Sequence, residues 1–301
     1  MDTSVYITNQ SLYVVTGRGS GTKVKIKKVY HLPIPEGVMM NGIITNDSLL
    51  AEELSAYWKT YRLPKKKIRL VIDSGKFLTK TMEVPYLKDE ELLKVIRMEF
   101  QDADREELLF DYFPLEKTDE YSLNELFCAA VEKQVLESYV SLFHGLKISL
   151  SSINIGYACL LKAAFGTGAF AGKTSILMMM EGDNVISTLF ENGRYIYSRR
   201  NRLFNEPGST ARCSELARIV SDIQQFQVSR RNEFVIRSID TSGFERENLE
   251  EFRNQIAFLD IKIEELTWLG GVRFPATKIT KEGEKKTVAG DHLYNIGNLM
   301  R

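Results

Sequence analysis

The sequence predicts an α/β protein built from two related βββαβα halves, with a small α+β subdomain inserted in the first. Three observations carry this. Apolar residues alternate or cluster between turn residues in two blocks of three short strands, one at the start of the chain and one from Thr174 to Arg199. Each block is followed by an amphipathic helix and a further apolar strand, and such self-similarity marks a duplicated unit. Between the blocks lies a stretch with strand and helix periodicities of its own.

In the first block Val5 and Ile7, then Leu12, Val14 and Val15, then Val24, Ile26 and Val29 predict a meander. Gly17-Arg18-Gly19-Ser20-Gly21 has the composition of a phosphate-binding loop. Such a loop must run from a strand into a helix so that helix N–H groups face the anion. Here the strand Thr22–Tyr30 follows, so a hairpin loop is expected. After Pro33 and Pro35, Leu49, Leu50, Leu54, Tyr57 and Trp58 share one face of a helix over Asn46–Tyr61, with Asn46 or Asp47 placed to cap it. Ile68–Ile72 reads as a strand ending at Asp73-Ser74-Gly75.

The inserted stretch begins with a strand over Phe77–Val84, stopped by Pro85, and a helix from Asp89 to Gln101 with Leu92, Leu93, Val95, Ile96 and Phe100 on its apolar side. Strands over Asp111–Leu115 and Asn124–Val131, a helix over Glu132–His144 and a strand over Lys147–Ile155 complete it. In the second half, strands Thr174–Met180, Val185–Phe190 and Arg194–Arg199 are joined by the turns Glu181-Gly182-Asp183-Asn184 and Glu191-Asn192-Gly193. A helix over Ser209–Val228 buries Leu216, Ile219, Val220, Ile223 and Phe226; the strand Glu233–Ile239, helix Arg246–Ile256, strand Leu259–Glu265 and a terminal helix around His292–Leu299 follow. The expected division is therefore a first domain of residues 1–75 and 150–170 with the C-terminal helix 288–301, an inserted subdomain over 76–149, and a second domain over 171–287. The cleft between two such halves is the natural ligand site.

Composition narrows the function. The 301 residues carry 40 Lys+Arg against 40 Asp+Glu, which leaves no chain-wide basic field of the kind that phosphate-neutralising nucleic-acid binders need. At 44% hydrophobic and 27% charged, the chain is globular rather than disordered. Cys128, Cys159 and Cys213 are an odd number without CxxC spacing, so thiols in a reducing cytosol are expected rather than a disulfide framework or a zinc site. The start Met1-Asp2-Thr3-Ser4 lacks a signal-peptide pattern. The longest apolar window, Ile153–Ala171, is broken by Asn154, Lys162 and glycines, so no transmembrane segment is expected.

Further residues carry a family resemblance: Leu32-Pro33-Ile34-Pro35-Glu36-Gly37 followed by Met40-Asn41-Gly42-Ile43-Ile44, the Val84-Pro85-Tyr86-Leu87 turn before Asp89-Glu90-Glu91-Leu92, the strand Phe110-Asp111-Tyr112, and the terminal Tyr294-Asn295-Ile296-Gly297-Asn298-Leu299-Met300-Arg301. With the two βββαβα halves, their order over nearly the whole chain resembles the actin/sugar-kinase/Hsp70 superfamily, whose fold is actin-like (ribonuclease H-like). Within it the chain resembles the PilM family of type IV pilus assembly proteins, which are related to the division protein FtsA. The resemblance implies a cytoplasmic scaffold, peripherally associated with the inner face of the cell membrane, that captures the cytoplasmic N-terminal peptide of a bitopic membrane protein of the PilN kind and meets other pilus platform proteins. It also implies a capacity for self-association into filaments. Peptide capture in a groove between the first domain and its insertion would use main-chain pairing and apolar pockets, and segment placement points to Ile43, Met82, Val84 and Pro85.

An actin-like ATPase needs an acid on the first strand of each meander to hold Mg²⁺, with glycines that let backbone N–H groups approach the phosphates. The resemblance places the first of these loops on Tyr6-Ile7-Thr8-Asn9-Gln10-Ser11-Leu12-Tyr13, where Tyr6 stands for the acid, Thr8 for the glycine and Tyr13 for the lysine. Only Thr8, Asn9 and Gln10 remain as candidate nucleotide contacts there. In the second loop a methionine replaces the acid, and Glu181-Gly182-Asp183 is either an ordinary hairpin turn or a displaced metal or phosphate site. Three successive methionines, Met178 to Met180, suit a strand buried on both faces. The adenosine motif is reduced to Ser242-Gly243.

Gly166–Thr174 imitates a P-loop, but Thr167 stands at its first glycine and the order is helix to strand, so a hinge is expected. His31, His144 and His292 form no catalytic spacing, and Asp89-Glu90-Glu91 offsets a helix dipole. Two functions follow: an adaptor that does not hydrolyse ATP and needs no cofactor, or an active ATPase or filament former that binds ATP with Mg²⁺ through Glu181 or Asp183. A sugar kinase would need an Asp base near the cleft hinge, which nothing in the sequence marks.

Overall fold

The computed structural model describes residues 1–100, 107–115, 123–231, 233–267, 269–275 and 289–301. The chain folds as two compact units, Met1–Ala163 with Tyr294–Arg301, and Ala164–Leu293. The first contains β1 (Asp2–Ile7), β2 (Ser11–Ser20), β3 (Lys23–Pro33), the short pair β4 (Met39–Met40) and β5 (Ile43–Ile44), α1 (Asp47–Thr60) and β6 (Ile68–Ile72). It continues through β7 (Leu78–Val84), α2 (Asp89–Glu99), β8 (Leu108–Pro114), β9 (Asn124–Glu132), α3 (Lys133–Gly145), β10 (Leu150–Ile155) and the start of α4 (Gly156–Thr167). The second unit contains β11 (Ser175–Glu181), β12 (Asn184–Glu191), β13 (Arg194–Arg202), α5 (Thr210–Ser229), β14 (Ser238–Ser242), α6 (Arg246–Gln255) and β15 (Lys262–Glu265); α7 (Leu293–Leu299) closes the chain.

The two halves share one topology. In the first unit the strands run β10-β6-β1-β2-β3, and in the second β15-β14-β11-β12-β13. In each the meander is antiparallel while the strands beyond its first member run parallel to it. Parallel strands need helical crossovers, and α1, α3, α5 and α6 supply them.

The first core explains why its helices form where they do. Asn46 Oδ1 accepts the Leu49 N–H at 3.0 Å and caps α1. Leu50, Leu54 and Trp58 of α1 then meet Tyr139, Leu142 and Phe143 of α3 over Val5, Leu12, Leu70 and Ile72 of the sheet. Trp58 and Phe143 stand edge to face at 6.0 Å, and the Tyr139 hydroxyl donates to the Gly42 carbonyl at 2.8 Å. The helix α3 thus packs on the main core of the first unit. A separate small core belongs to the sheet β7-β9-β8 and α2, where Val84, Leu92, Ile96, Phe100, Leu126, Cys128 and Ala130 meet.

Several boundaries differ from expectation: the strand expected from Lys147 begins at Leu150, the one expected to end at Arg199 runs to Arg202, and three more shift. The ladder from β11 to β14 begins at Ser175 and Ser238, so the strand expected over Glu233–Ile239 starts later, and Phe234 and Val235 stay exposed. A 3₁₀ turn over Ala257–Leu259, closed by Asp260 in the left-handed region at φ 51°, delays β15 to Lys262. The strand expected from Asp111 begins at Leu108, because Leu108 already pairs with Glu132.

The Gly17–Gly21 stretch is a hairpin, with rungs out to Ser20 and Lys23. Its glycines have a further use: a Cβ on Gly19 would lie 1.8 Å from the Leu299 carbonyl oxygen, so the strand is bare where α7 lies on it. Polar groups then lock α7 in place. Asn298 Nδ2 donates to Ser4 Oγ and to the Arg69 carbonyl, both at 2.9 Å, and its Oδ1 accepts from Asn154 at 2.8 Å. Asn295 Nδ2 donates to Ser4 Oγ at 3.1 Å. Among the described residues no helix is long and apolar enough to cross a membrane.

Candidate functional site

The two loops that would hold a nucleotide are built for other contacts. In the first unit Tyr6 is buried, stacked on Tyr13 at 5.9 Å and edge-on to Tyr294 at 4.8 Å; Tyr13 in turn stacks on His31 at 4.4 Å. An aromatic row thus occupies Tyr6 and Tyr13, where the resemblance expects an acid and a lysine. Thr8 Oγ1 accepts the N–H groups of Gln10 at 3.2 Å and Ser11 at 2.9 Å, so the turn's own side chain takes amides that a phosphate would need. Asn9 Oδ1 accepts the Gly42 N–H at 3.1 Å, which ties the turn to the β4–β5 pair.

One acid near these groups was not singled out from the sequence. Asp73 ends β6, parallel to β1 and β10, and is 7% exposed. Its Oδ1 accepts the Ser74 N–H at 3.1 Å and its Oδ2 accepts the Tyr294 hydroxyl at 3.3 Å. Gly42, at φ +72°, passes so close that a Cβ would lie 2.1 Å from the Asp73 carbonyl oxygen. Its sequence signal is an acid terminating an apolar strand, a pattern too common to mark a site.

In the second unit Glu181, Gly182 and Asp183 form the β11–β12 turn, with Gly182 at φ 59°. Arg200 Nη1 donates to Glu181 Oε2 at 2.6 Å. Burial pushes the Glu181 carboxyl upward, and the Arg200 guanidinium opposes the shift. Arg212, 3% exposed, donates to the Gly182 carbonyl at 2.6 Å, to the Asn205 carbonyl at 3.0 Å, and reaches Asp183 Oδ1 at 3.5 Å. Gly243 stands at the same end of this sheet: at φ +73°, a Cβ on it would lie 2.8 Å from the Met180 carbonyl oxygen. Its N–H donates to Asp291 at 3.2 Å. So the structure brings Glu181, Gly182, Asp183 and Gly243 together within the second unit, and Thr8, Asn9 and Gln10 together within the first.

These residues do not fit Mg²⁺-nucleotide. Tyr6 offers no charge, Thr8 closes its own turn, and both acids of the second turn face guanidinium groups. Among the described residues no group of three or more His, Cys, Asp or Glu is arranged to hold a metal ion. Cys128 and Cys159 are buried and their thiols are pushed up to about 12, chiefly by burial, which leaves them poor nucleophiles.

A groove of different chemistry lies in the first unit. A cavity of about 230 Å³ is lined by Leu109, Phe113, Phe127, Ala129 and Val131 of the β7-β9-β8 sheet. Its opposite wall is Ile153 and Ile155 of β10 with Ala158 of α4, and Asp111 and Asn154 are its polar groups. Among the described residues β8 is an outer strand of its sheet, so one edge of its main chain is left for another strand. The groove residues expected from the sequence lie elsewhere. Met82 and Val84 pair with Leu126 and Asn124, and strand alternation turns them with Cys128 and Ala130 onto α2. Pro85 is exposed just past β7, and Ile43 is half-buried in β5.

No family model and no curated protein matches the sequence. Solved structures do. The chain is similar to the structure described as the PilM–PilN type IV pilus biogenesis complex, at 14% identity and TM-score 0.74 over 99% of this chain and 97% of that one. It is also similar to a Bacteroides thetaiotaomicron protein with an actin-like ATPase fold, at 10% identity and TM-score 0.54 over 88% and 90%. A third match is the ethanolamine utilization protein EutJ from Carboxydothermus hydrogenoformans, at 8% identity and TM-score 0.50 over 99% and 89%. The fold is actin-like.

Proposed function

We propose that this protein is a member of the PilM family: an actin-like scaffold of type IV pilus biogenesis that binds the cytoplasmic N-terminal peptide of a bitopic inner-membrane protein of the PilN kind and does not hydrolyse ATP. The observation that carries the reading is the apolar groove beside β8, in a chain that matches the PilM–PilN structure from end to end. An extended peptide can add main-chain hydrogen bonds along β8, an outer strand among the described residues, and drop alternate side chains into the cavity. In this reading the β7-β9-β8 sheet with α2 is the FtsA-like inserted subdomain, and the protein lies in the cytoplasm against the inner face of the membrane, beside other platform proteins.

The test is titration of the full chain with synthetic N-terminal peptides of single-pass membrane proteins encoded beside it. One peptide is expected to bind, and Leu109→Gln, at a half-exposed position in the cavity wall, is expected to weaken it by about tenfold or more. Failure of every such peptide, or an unchanged affinity in Leu109→Gln, would reject the groove.

Loss of nucleotide function is supported by the aromatic row at Tyr6 and the arginine contacts of the second turn. Calorimetry is expected to detect no submillimolar, magnesium-dependent ATP binding. Such binding would instead favour the active ATPase, with Glu181 or Asp183 as its acid.

A further inference from the structure

The zero net charge of this chain conceals a strong segregation. Residues 83–125 hold 14 acids against 5 bases, whereas residues 18–28 hold five cations and no acid, and residues 59–69 hold six cations and no acid. The fold brings the two cationic stretches to one end of the first sheet. In the parallel β1–β6 ladder Thr3 pairs with Ile68, which sets Lys65, Lys66 and Lys67 at the starting end of that sheet. In the β1–β2 ladder Thr3 pairs with Thr16, so the β2–β3 hairpin with Arg18, Lys23 and Lys25 projects from the same end. Lys147 joins them, because the Ser149 N–H donates to the Lys65 carbonyl at 2.8 Å.

Arg18, Lys23, Lys25, Lys65, Lys66, Lys67 and Lys147 are exposed, and among the described residues none of them is in an ion pair. The acid at this end, Asp2, is already bound by Arg301 at 3.0 Å. Arg18 and Lys25 also stand directly opposite each other across the β2–β3 ladder. Like charges in that position destabilise a sheet, so the arrangement works against folding and favours an anion outside the molecule.

We propose that this end of the first unit is a docking surface for an anionic lipid bilayer. The hairpin tip and the Lys65–Lys67 turn are a charged rim, and apart from Met1 and Tyr61 no exposed large apolar side chain among the described residues stands near either in sequence. A bilayer of acidic headgroups needs only such diffuse charge, whereas a protein partner needs buried apolar anchors and single-stranded nucleic acid needs stacking aromatics. The described acids of residues 83–125, among them Glu83, Asp89, Glu90 and Glu91, would be repelled by the same surface. This surface shares with the proposed function only the membrane-side location and does not depend on the peptide groove.

Flotation of the full chain with vesicles tests it. With vesicles of phosphatidylcholine containing about one third phosphatidylglycerol, the protein is expected to float at low ionic strength, to be released as salt rises, and to ignore pure phosphatidylcholine. The variant Lys23→Gln/Lys25→Gln/Lys65→Gln/Lys66→Gln should partition about tenfold less or weaker still and melt no lower than the parent, since it relieves the Arg18–Lys25 repulsion. Leu109→Gln should float like the parent, which separates this surface from the groove. Equal flotation of the quadruple variant, equal binding to neutral vesicles, or tighter binding to duplex DNA than to anionic vesicles would overturn the proposal.

Discussion

Gly297→Ala is expected to lower the stability of the first unit by about 3 kcal/mol, although alanine is the better helix former by about 1 kcal/mol. The sign is decided by packing. A Cβ at Gly297 would lie 1.8 Å from the Cys159 carbonyl oxygen and 2.7 Å from its carbon, and both are backbone atoms of α4 that cannot rotate away. The terminal helix must therefore back off, and in doing so it strains the hydrogen bonds of Asn295 and Asn298 to Ser4 and Arg69. Gly19→Ala should behave alike, since its Cβ meets the Leu299 carbonyl. Gly21→Ala is the control: nothing lies within 4 Å, and the cost is the left-handed backbone at φ +55°, about 1 kcal/mol. Urea unfolding of the three variants checks the order, and a Gly297→Ala protein as stable as the parent would refute the seat described for α7.

Arg212→Met is expected to cost about 2 kcal/mol by removing the charged donor of two part-buried carbonyl hydrogen bonds. The side chain is 3% exposed and serves the Gly182 and Asn205 carbonyls as well as Asp183. Because Asp183 is about half exposed, at 51% of its side chain, the ion pair adds little and the two carbonyls dominate. The same variant discriminates between the two readings of the turn. In a displaced metal site, removing the guanidinium would free Asp183 and strengthen Mg²⁺ binding. In a structural hairpin it lowers the denaturation midpoint and leaves magnesium without effect, which is the outcome expected from calorimetry and urea unfolding together.

Much of the fold was legible because its signals are local. The meanders follow from apolar alternation at Val5, Ile7, Leu12 and Val14, and again from Ile176 to Leu189. The cap at Asn46 and the buried face of α1 follow from residue spacing. At the first candidate loop the sequence offers Tyr6 and Thr8 where the resemblance expects an acid and a glycine, and the structure adds that both are occupied in contacts of their own. Less was visible at the groove. Met82 and Val84 lie in the right sheet, but the parity of the β7–β9 register turns them toward α2 and leaves Phe127, Ala129 and Val131 to line the cavity. Register parity depends on which residue of another strand lies opposite, and no local periodicity reports that.

From the sequence alone came the α/β class, the duplication and the absence of a chain-wide basic field, because each is written in residue type and short-range spacing. Only the tertiary structure decided that Gly19 and Gly297 are seats for a terminal helix, that Arg200 pairs with Glu181 while Arg212 holds the Gly182 carbonyl of the second turn, and that lysines some forty residues apart in the sequence share one end of a sheet. Those features arise from backbone approach and strand pairing between distant segments, which the fold alone brings together.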